Sequence, residues 1–230
     1  MAIDLVETEW FILLDAHCRF ITKDWLQKLD ELNLSPNGIY CCGCEPFNDK
    51  MDFSYLVKAK GLGARFNRDN KLTMLNPKWN PSSSVDATKI FDTEIILGAN
   101  YISSKKWWDK IGGHHGFRRN LREEAFLSIK TRMAGGLVQC IPFIITAHKF
   151  RKKPPFTTSP INAAYNELAI IYICANDLFP EYVKLEKEYR GNDIVNEVLL
   201  QMDSNMYELE TERQRIKKIA IKSFEESLYI

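Results

Sequence analysis

The sequence lacks an excess of charge of either sign, and it lacks any long hydrophobic run. Of its 230 residues, 31 are Lys or Arg and 30 are Asp or Glu, which leaves a formal net charge of +1. A balance this close to zero gives no overall attraction to nucleic acid or to an anionic membrane. No stretch approaches the roughly 18 apolar residues of a membrane span, and the acidic N-terminal segment does not resemble a signal peptide. These absences predict a cytoplasmic protein.

The cysteines do not have the spacing of a typical zinc site. The chain has six cysteines, and without a secretory signal we expect them to be free thiols in a reducing compartment. Cys41, Cys42 and Cys44 lie close together, but their spacing is not C-x-x-C and no second pair follows at finger distance. Buried small thiols on a strand are therefore favoured over a zinc site.

What the sequence does contain is typical of a folded α/β domain. Hydrophobic residues make up 45% of the chain, with 13 Phe, nine Tyr and five Trp to fill a core. Strand-like and helix-like patterns alternate over about the first 150 residues, which indicates an α/β layer. Residues 152–155, Lys-Lys-Pro-Pro, interrupt the pattern. We expect one region over 1–153 and a helical extension over 154–230.

Four local patterns make specific structural predictions. Residues 60–86 are rich in Gly, Asn, Pro and Ser and predict a long surface loop. Residues 93–101 predict a strand, and Gly98 within it predicts a close approach to another group. Residues 120–134 predict a helix with Asn120 as N-cap. Residues 206–228 predict one long charged helix, whose imperfect apolar stripe favours packing on its own domain over assembly with a second chain.

Asp15 and His17 follow directly after the apolar run 10–14. The carboxyl end of a strand is where ligands bind in open α/β sheets, and residues two apart on an extended segment point to the same side. The pair is suited to one divalent metal, although a helix-capping Asp and a packed His are the commoner outcome of such a pattern. His148, at the end of another apolar run, would add a third ligand from a neighbouring strand. His114 is the weaker alternative.

Several sequence blocks, in the same order, resemble the polypeptide N-acetylgalactosaminyltransferase family. Residues 13–18, Leu-Leu-Asp-Ala-His-Cys, resemble its Asp-x-His-Cys motif. Residues 123–151 resemble the block that starts Glu-Asn-Leu and ends Gly-His-x-Phe-Arg, and residues 96–113 resemble the strand, helix and Ile-Gly-Gly turn that precede it. The resemblance spans roughly residues 9–153.

The resemblance implies a GT-A fold, Rossmann-like and shortened at the N-terminus, that transfers a sugar from a UDP-sugar with retention. Asp15, His17 and His148 would hold Mn²⁺ against the UDP diphosphate, a ligand set that manganese accepts. The family carries a uridine-binding half before its Asp-x-His strand, whereas only 14 residues precede Asp15. We therefore expect the base pocket to be missing, rebuilt from the C-terminal helices, or supplied by a second chain.

The resemblance also implies roles for residues beyond the metal ligands. Glu123 would contact the donor sugar, and Glu123 and Glu124 are the expected catalytic carboxylates. Gly98 would lie under the sugar, and Arg151 and Arg122 would lie near the phosphates. Glu124 replaces the family's Asn, and the family's Trp-Gly-Gly before the Glu is absent. These departures leave the identity of the sugar open.

The acceptor is open as well. A possible relative group is similar to base-J-type glucosyltransferases, which modify hydroxymethylated pyrimidines in DNA. Arginines at 118, 119 and 122, with basic residues at 149 and 151–153, would form a local basic rim suited to a DNA backbone. Such a rim equally suits the UDP diphosphate alone, and protein or saccharide acceptors remain. The alternative function is a non-catalytic remnant or subunit of a split glycosyltransferase that binds a partner chain.

Overall fold

The computed structural model describes residues 2–46, 61–80, 85–118, 121–149 and 159–230. The strands are β1 Trp10–Leu14, β2 Cys18–Phe20, β3 Gly38–Pro46, β4 Ala64–Arg65, β5 Lys78–Trp79, β6 Phe91–Asp92, β7 Asn100–Ser104 and β8 Leu137–His148. The α-helices are α1 Trp25–Glu31, α2 Lys105–Ile111, α3 Glu123–Met133, α4 Pro160–Cys174, α5 Phe179–Arg190, α6 Asn192–Asp203, α7 Met206–Ile219 and α8 Phe224–Ser227. Short 3₁₀ helices cover Ala2–Leu5, Lys71–Thr73 and Asn176–Leu178.

One mixed sheet organises the fold, with strand order β1-β7-β3-β8-β2 and β6 paired to β8. Strands β1 and β3 are both antiparallel to β7, and β3 is parallel to β8. The carboxyl ends of β1, β3 and β8 therefore lie at the same edge of the sheet. Ligands bind at this edge in open α/β sheets.

Buried Asn100 joins three strands below that edge. Its Oδ1 accepts a hydrogen bond from the Cys42 N–H at 2.5 Å, and its Nδ2 donates to Thr146 Oγ1 at 2.8 Å. Nearby, the β3–β8 register shifts, because Cys42 pairs with Ile141 but Gly43 pairs with Ile145. The extra residues of β8 include Pro142, which has no N–H to donate to a ladder.

Helices cover the sheet unevenly. Helices α2 and α3 pack on one face, where Trp107, Trp108 and Leu127 are buried. The other face carries the short helix α1, whose Trp25 stacks on Phe20 with ring centroids 3.8 Å apart. A second apolar core unites α3 with the C-terminal helices α4 to α8.

Two of the local predictions are corrected in the segment before α2. Residues 93–101 do not form one strand: β7 begins at Asn100, and Ile95 instead forms a bridge with Ala64. The described part of residues 60–86 is not all surface, since Leu62, Ala64 and Phe66 are buried. Ala64 and Ile95 pair with each other, and Gly61 forms a bridge with Cys44 of β3, so both segments are built into the core.

The helix predictions need three corrections. Helix α3 begins at Glu123 with Arg122 as N-cap, not at Asn120, which lies outside the described residues. The predicted helix over 206–228 ends at Ile219, because Ala220 is extended and Ser223 starts α8 with its own capping box. Helix α5, at 179–190, was not predicted. The division between 1–153 and 154–230 remains a prediction.

The cysteines fit the interpretation as buried thiols. Cys41, Cys42, Cys44, Cys140 and Cys174 are buried and free. Burial raises the pKa of the Cys44 thiol to about 11. Among the described residues, no cysteine belongs to a cluster with metal-binding geometry.

Candidate active site

Asp15, His17 and His148 meet at the carboxyl edge of the sheet. Each offers one ligand atom, and the three atoms lie within 4.8 Å of one another. His148 Nε2 is 3.1 Å from Asp15 Oδ2, and His17 Nε2 is 3.9 Å from the same oxygen. The Asp15 side chain is half-exposed and that of His148 is largely buried, so the cluster opens toward solvent on its carboxylate side.

The turn between β1 and β2 explains how Asp15 and His17 meet His148, which is far away in the sequence. After Leu14 the chain turns, with the Asp15 N–H donating to the Ala99 carbonyl and the Cys18 N–H donating to the Asp15 carbonyl. Cys18 then pairs with His148 across β2 and β8. The sequence predicted that His148 lies on a strand neighbouring β1. This is wrong, because β7 and β3 lie between β1 and β8 in the sheet.

This donor set fits a single divalent transition metal. Ligands about 2.1 Å from one ion lie about 3 Å apart when adjacent and about 4.2 Å apart when opposite, in octahedral geometry. The 3.1 and 3.9 Å separations from Asp15 Oδ2 fall within that range. A carboxylate with two imidazoles is chemically suited to manganese.

His114, the alternative third ligand, lies elsewhere. Its ring packs edge-on against Trp108, with centroids 5.0 Å apart, and against Tyr101. Burial, with Lys130 nearby, lowers its pKa to about 4. Of the two candidates, His148 is the one that the structure brings to Asp15 and His17.

Glu124 lies beside Gly98, the residue at which the sequence predicted a close approach to another group. A Cβ built on Gly98 would lie only 1.9 Å from Glu124 Oε1. Burial, together with the nearby charge of Glu123, raises the pKa of the Glu124 carboxyl to about 8. Glu124 is therefore mostly protonated at neutral pH. The charge of Asp15 also raises the pKa of Glu124, so Asp15 lies close enough to interact with Glu124.

Glu123 is fixed by its own backbone turn. Its Oε2 accepts a hydrogen bond from the Leu121 N–H at 2.6 Å. Ser128, one turn further along α3, accepts from the Ile96 N–H at 3.2 Å and donates to the Glu124 carbonyl at 2.6 Å. The start of α3 is therefore held against the segment that contains Gly98.

Tyr101 is a neighbour of this site that the sequence patterns did not indicate. It is buried on β7, and burial together with the charges of Glu124, Glu123 and Asp15 holds its pKa well above its usual value. Tyr101 is therefore a buried residue close enough to the candidate site to interact with the charges of three of its carboxyl groups. Its position two residues after Ala99 in an apolar run gave no signal of this role.

The predicted basic residues have different outcomes. Arg122 is bound to Glu167, with its Nε 2.9 Å from Glu167 Oε1. Arg118 donates to Gln201 at 2.8 Å and stacks over Tyr165 at 4.4 Å. Both guanidinium groups are therefore committed to the C-terminal helices. Residues 119 and 151–153, Arg151 among them, lie outside the described residues.

Comparison with known proteins relates the chain to sugar transferases. It is 26% identical over 163 residues to human polypeptide N-acetylgalactosaminyltransferase 14, covering 70% of this chain and 29% of that protein. It is 25% identical over 157 residues to mouse polypeptide N-acetylgalactosaminyltransferase 16, covering 65% and 27%. The chain thus spans less than a third of the length of these relatives. No family model matches it.

A solved structure matches the fold. The crystal structure of GalNAc-T7 with UDP, GalNAc and Mn²⁺ superposes with a TM-score of 0.57 and 13% identity, covering 88% of this chain and 43% of that one. The mixed α/β architecture around a central sheet is that of a GT-A fold, as predicted. Among the described residues, no helix is both long and apolar enough to cross a membrane.

Proposed function

We propose that the chain is a metal-dependent glycosyltransferase that moves a sugar from a UDP-sugar to a hydroxyl acceptor. The observation that carries this proposal is the cluster of Asp15, His17 and His148 at the ligand-binding edge of the sheet. The similarity to N-acetylgalactosaminyltransferases supports it. The matched structure, which contains UDP, GalNAc and Mn²⁺, supports the choice of ligands.

Asp15, His17 and His148 would hold a divalent ion, with Mn²⁺ as the proposed species. When bound, the ion supplies positive charge against the donor diphosphate. The largely buried side chain of His148 restricts water on one side of the cluster. The half-exposed side of Asp15 leaves space for the phosphates to approach.

Glu124 and Glu123 would act on the sugar and the acceptor. A protonated Glu124 can donate a hydrogen bond to a sugar or acceptor hydroxyl, and its raised pKa suits proton transfer near neutral pH. Gly98, which has no side chain, leaves room for the Glu124 carboxyl to lie against its backbone. Glu123 holds its position through Leu121 and orients the same turn. Transfer with retention is proposed from the resemblance alone.

Two classes of acceptor are considered separately: a hydroxymethylpyrimidine in DNA, and a hydroxyl of a protein or saccharide. A hydroxymethylpyrimidine in DNA requires uncompensated positive charge along the site, and Arg118 and Arg122 are already engaged by Gln201 and Glu167. A DNA acceptor would therefore need positive charge other than that of these two arginines. Duplexes with and without 5-hydroxymethylcytosine, compared as acceptors, distinguish DNA from protein or saccharide hydroxyls.

A second candidate function is that of a subunit that binds a partner chain. Among the described strands β1 has β7 as its single neighbour, so one side of an apolar strand is available for pairing next to the metal cluster. A strand of a second chain could add there and supply a uridine pocket. Tight binding of UDP by the isolated chain in the presence of Mn²⁺ would contradict this candidate.

The test of the proposed transferase is UDP-sugar hydrolysis with and without Mn²⁺, using UDP-GalNAc and UDP-glucose. We expect metal-dependent release of UDP that disappears in Asp15→Ala and His148→Ala. His115→Ala is the control, because His115 is exposed and outside the cluster. Full activity in both cluster variants would show that the metal assignment is wrong.

A further inference from the structure

The backbone that leads into α3 has an unusual conformation. Leu121 has a φ of 109° and Arg122 a φ of 72°. Residues other than glycine rarely adopt this left-handed region, and here two do so in succession. Strained backbone of this kind persists only where surrounding groups enforce it, and it concentrates at functional sites.

Asn166, on α4, is the group that enforces it. Its side chain is fully buried, in a helix whose other residues are mostly apolar. Oδ1 accepts a hydrogen bond from the Arg118 N–H at 3.0 Å, and Nδ2 donates to the carbonyls of Arg118 and Leu121, both at 2.9 Å. One amide group thus forms hydrogen bonds with three backbone groups that lie outside regular secondary structure.

Glu167, the next residue on α4, binds the side chain of Arg122 in the same loop. It pairs with Arg122 at 2.8 Å and with Arg190 at 2.6 Å, and Arg190 in turn pairs with Glu186. All of these side chains are mostly buried. The charges alternate, so each carboxylate is compensated, and the network ends at the residue directly before Glu123.

We propose that Asn166 is a positioning residue, which fixes the strained turn at the start of α3 and thereby places the carboxyl group of Glu124 against Gly98. The inference rests on the proposed glycosyltransferase function. It assigns to the C-terminal helices a part in the site, because α4 supplies both Asn166 and Glu167. The metal ligands lie on β8 and on the turn between β1 and β2, so they do not depend on this turn.

The test compares Asn166→Ala and Asn166→Asp with wild type. The Asp variant keeps the acceptor for the Arg118 N–H and loses both donors. We expect the kcat for UDP-sugar hydrolysis to fall about 10- to 100-fold in the Ala variant. The KM for the sugar donor and the Kd for UDP with Mn²⁺ should stay within about threefold, since the metal cluster is untouched. The ¹³C carboxyl titration of Glu124, assigned with Glu124→Gln, should move away from the wild-type midpoint.

Gln201→Ala is the matched control, because Gln201 bonds the Arg118 side chain rather than the loop backbone. It should keep the wild-type kcat and the wild-type Glu124 midpoint. A folded Asn166→Ala or Asn166→Asp protein with both values unchanged overturns the proposal. Failure of both variants to fold also overturns it, since Asn166 would then serve general stability. If wild type itself releases no UDP, the transferase proposal fails, and the Glu124 titration still decides the role of Asn166.

Discussion

The backbone of Gly98 lies directly against the carboxyl group of Glu124. A methyl group added at residue 98 would meet Oε1 at 1.9 Å and the carboxyl carbon at 2.8 Å, separations that force one of the two groups to move. We expect Gly98→Ala to displace the Glu124 carboxyl and to lower the rate of UDP-sugar hydrolysis by about 100-fold. Steady-state kinetics of the purified variant measure this loss.

Gly61→Ala provides the control for that substitution. Its added Cβ would meet the flexible end of the Leu97 side chain at 3.2 Å, which can shift. It should keep activity within about twofold of wild type. Equal losses in both variants would indicate a general effect of packing rather than contact with Glu124.

Replacing Glu124 with Gln should change how stability depends on pH. The folded-state pKa of about 8 lies above the ordinary glutamate value of 4.5, so the folded protein retains a proton that the unfolded chain releases. The resulting stabilisation is complete below pH 4.5 and is lost as the pH rises through 8, by at most about 1.4 kcal/mol per pH unit. Urea unfolding at several pH values should show a shallower decline for Glu124→Gln. Parallel curves would contradict the raised pKa.

His17→Ala should weaken Mn²⁺ binding by at least about tenfold, because the cluster loses one of its three ligand atoms. Isothermal titration with MnCl₂ measures this directly, without any sugar donor. His115→Ala, which removes an exposed imidazole outside the cluster, should bind the ion as wild type does. Unchanged affinity in His17→Ala would remove His17 from the ligand set.

Leu121→Gly tests the strain at the entry to α3. Glycine adopts a φ of 109° without steric cost, but it also loses more conformational entropy on folding. These effects oppose each other, so we expect the free energy of unfolding to change by less than about 1 kcal/mol. Leu121→Val, a β-branched residue at the same φ, should destabilise the protein by clearly more. Chemical denaturation that ranks the two variants in the opposite order would contradict the observed backbone.

Leu209→Ala tests where helix α7 packs. Leu209 is fully buried in the core shared with α4, so its truncation should destabilise the protein by about 2–4 kcal/mol. Sedimentation velocity should show the same mass as wild type. Tyr207→Ala, at a position 90% exposed, should change stability by less than about 0.5 kcal/mol. A change of mass in Leu209→Ala would instead favour the role in assembly.

Sequence reasoning was strongest where side-chain chemistry and strand ends coincide. The run 10–14 predicted β1, and the polar residues after it predicted the position of Asp15 and His17. Gly98 was expected to approach another group closely, and the structure places Glu124 there. These features depend on local sequence, so they are readable without the fold.

The remaining features depend on contacts that are distant in sequence. Residues 93–99 look like a strand but pair with Ala64 through Ile95 rather than with the sheet. Arg118 and Arg122 look like a basic rim, yet their partners Gln201 and Glu167 lie on helices far along the chain. Charge alone does not reveal whether a guanidinium group faces solvent or a buried carboxylate. Asn166 carried one available signal, a polar residue within an apolar helix.

The pairing of Cys18 with His148 has a consequence for how the protein folds. Asp15 and His148 lie 133 positions apart, and the ladder between β2 and β8 brings them together. Closing such a long loop is a late event, since its entropy must be lost before its contacts are gained. An ion that bound this cluster would stabilise the folded sheet, and the stabilisation would grow with the logarithm of the ratio of free ion concentration to Kd. The appearance of metal affinity during folding would then report the pairing of β2 with β8.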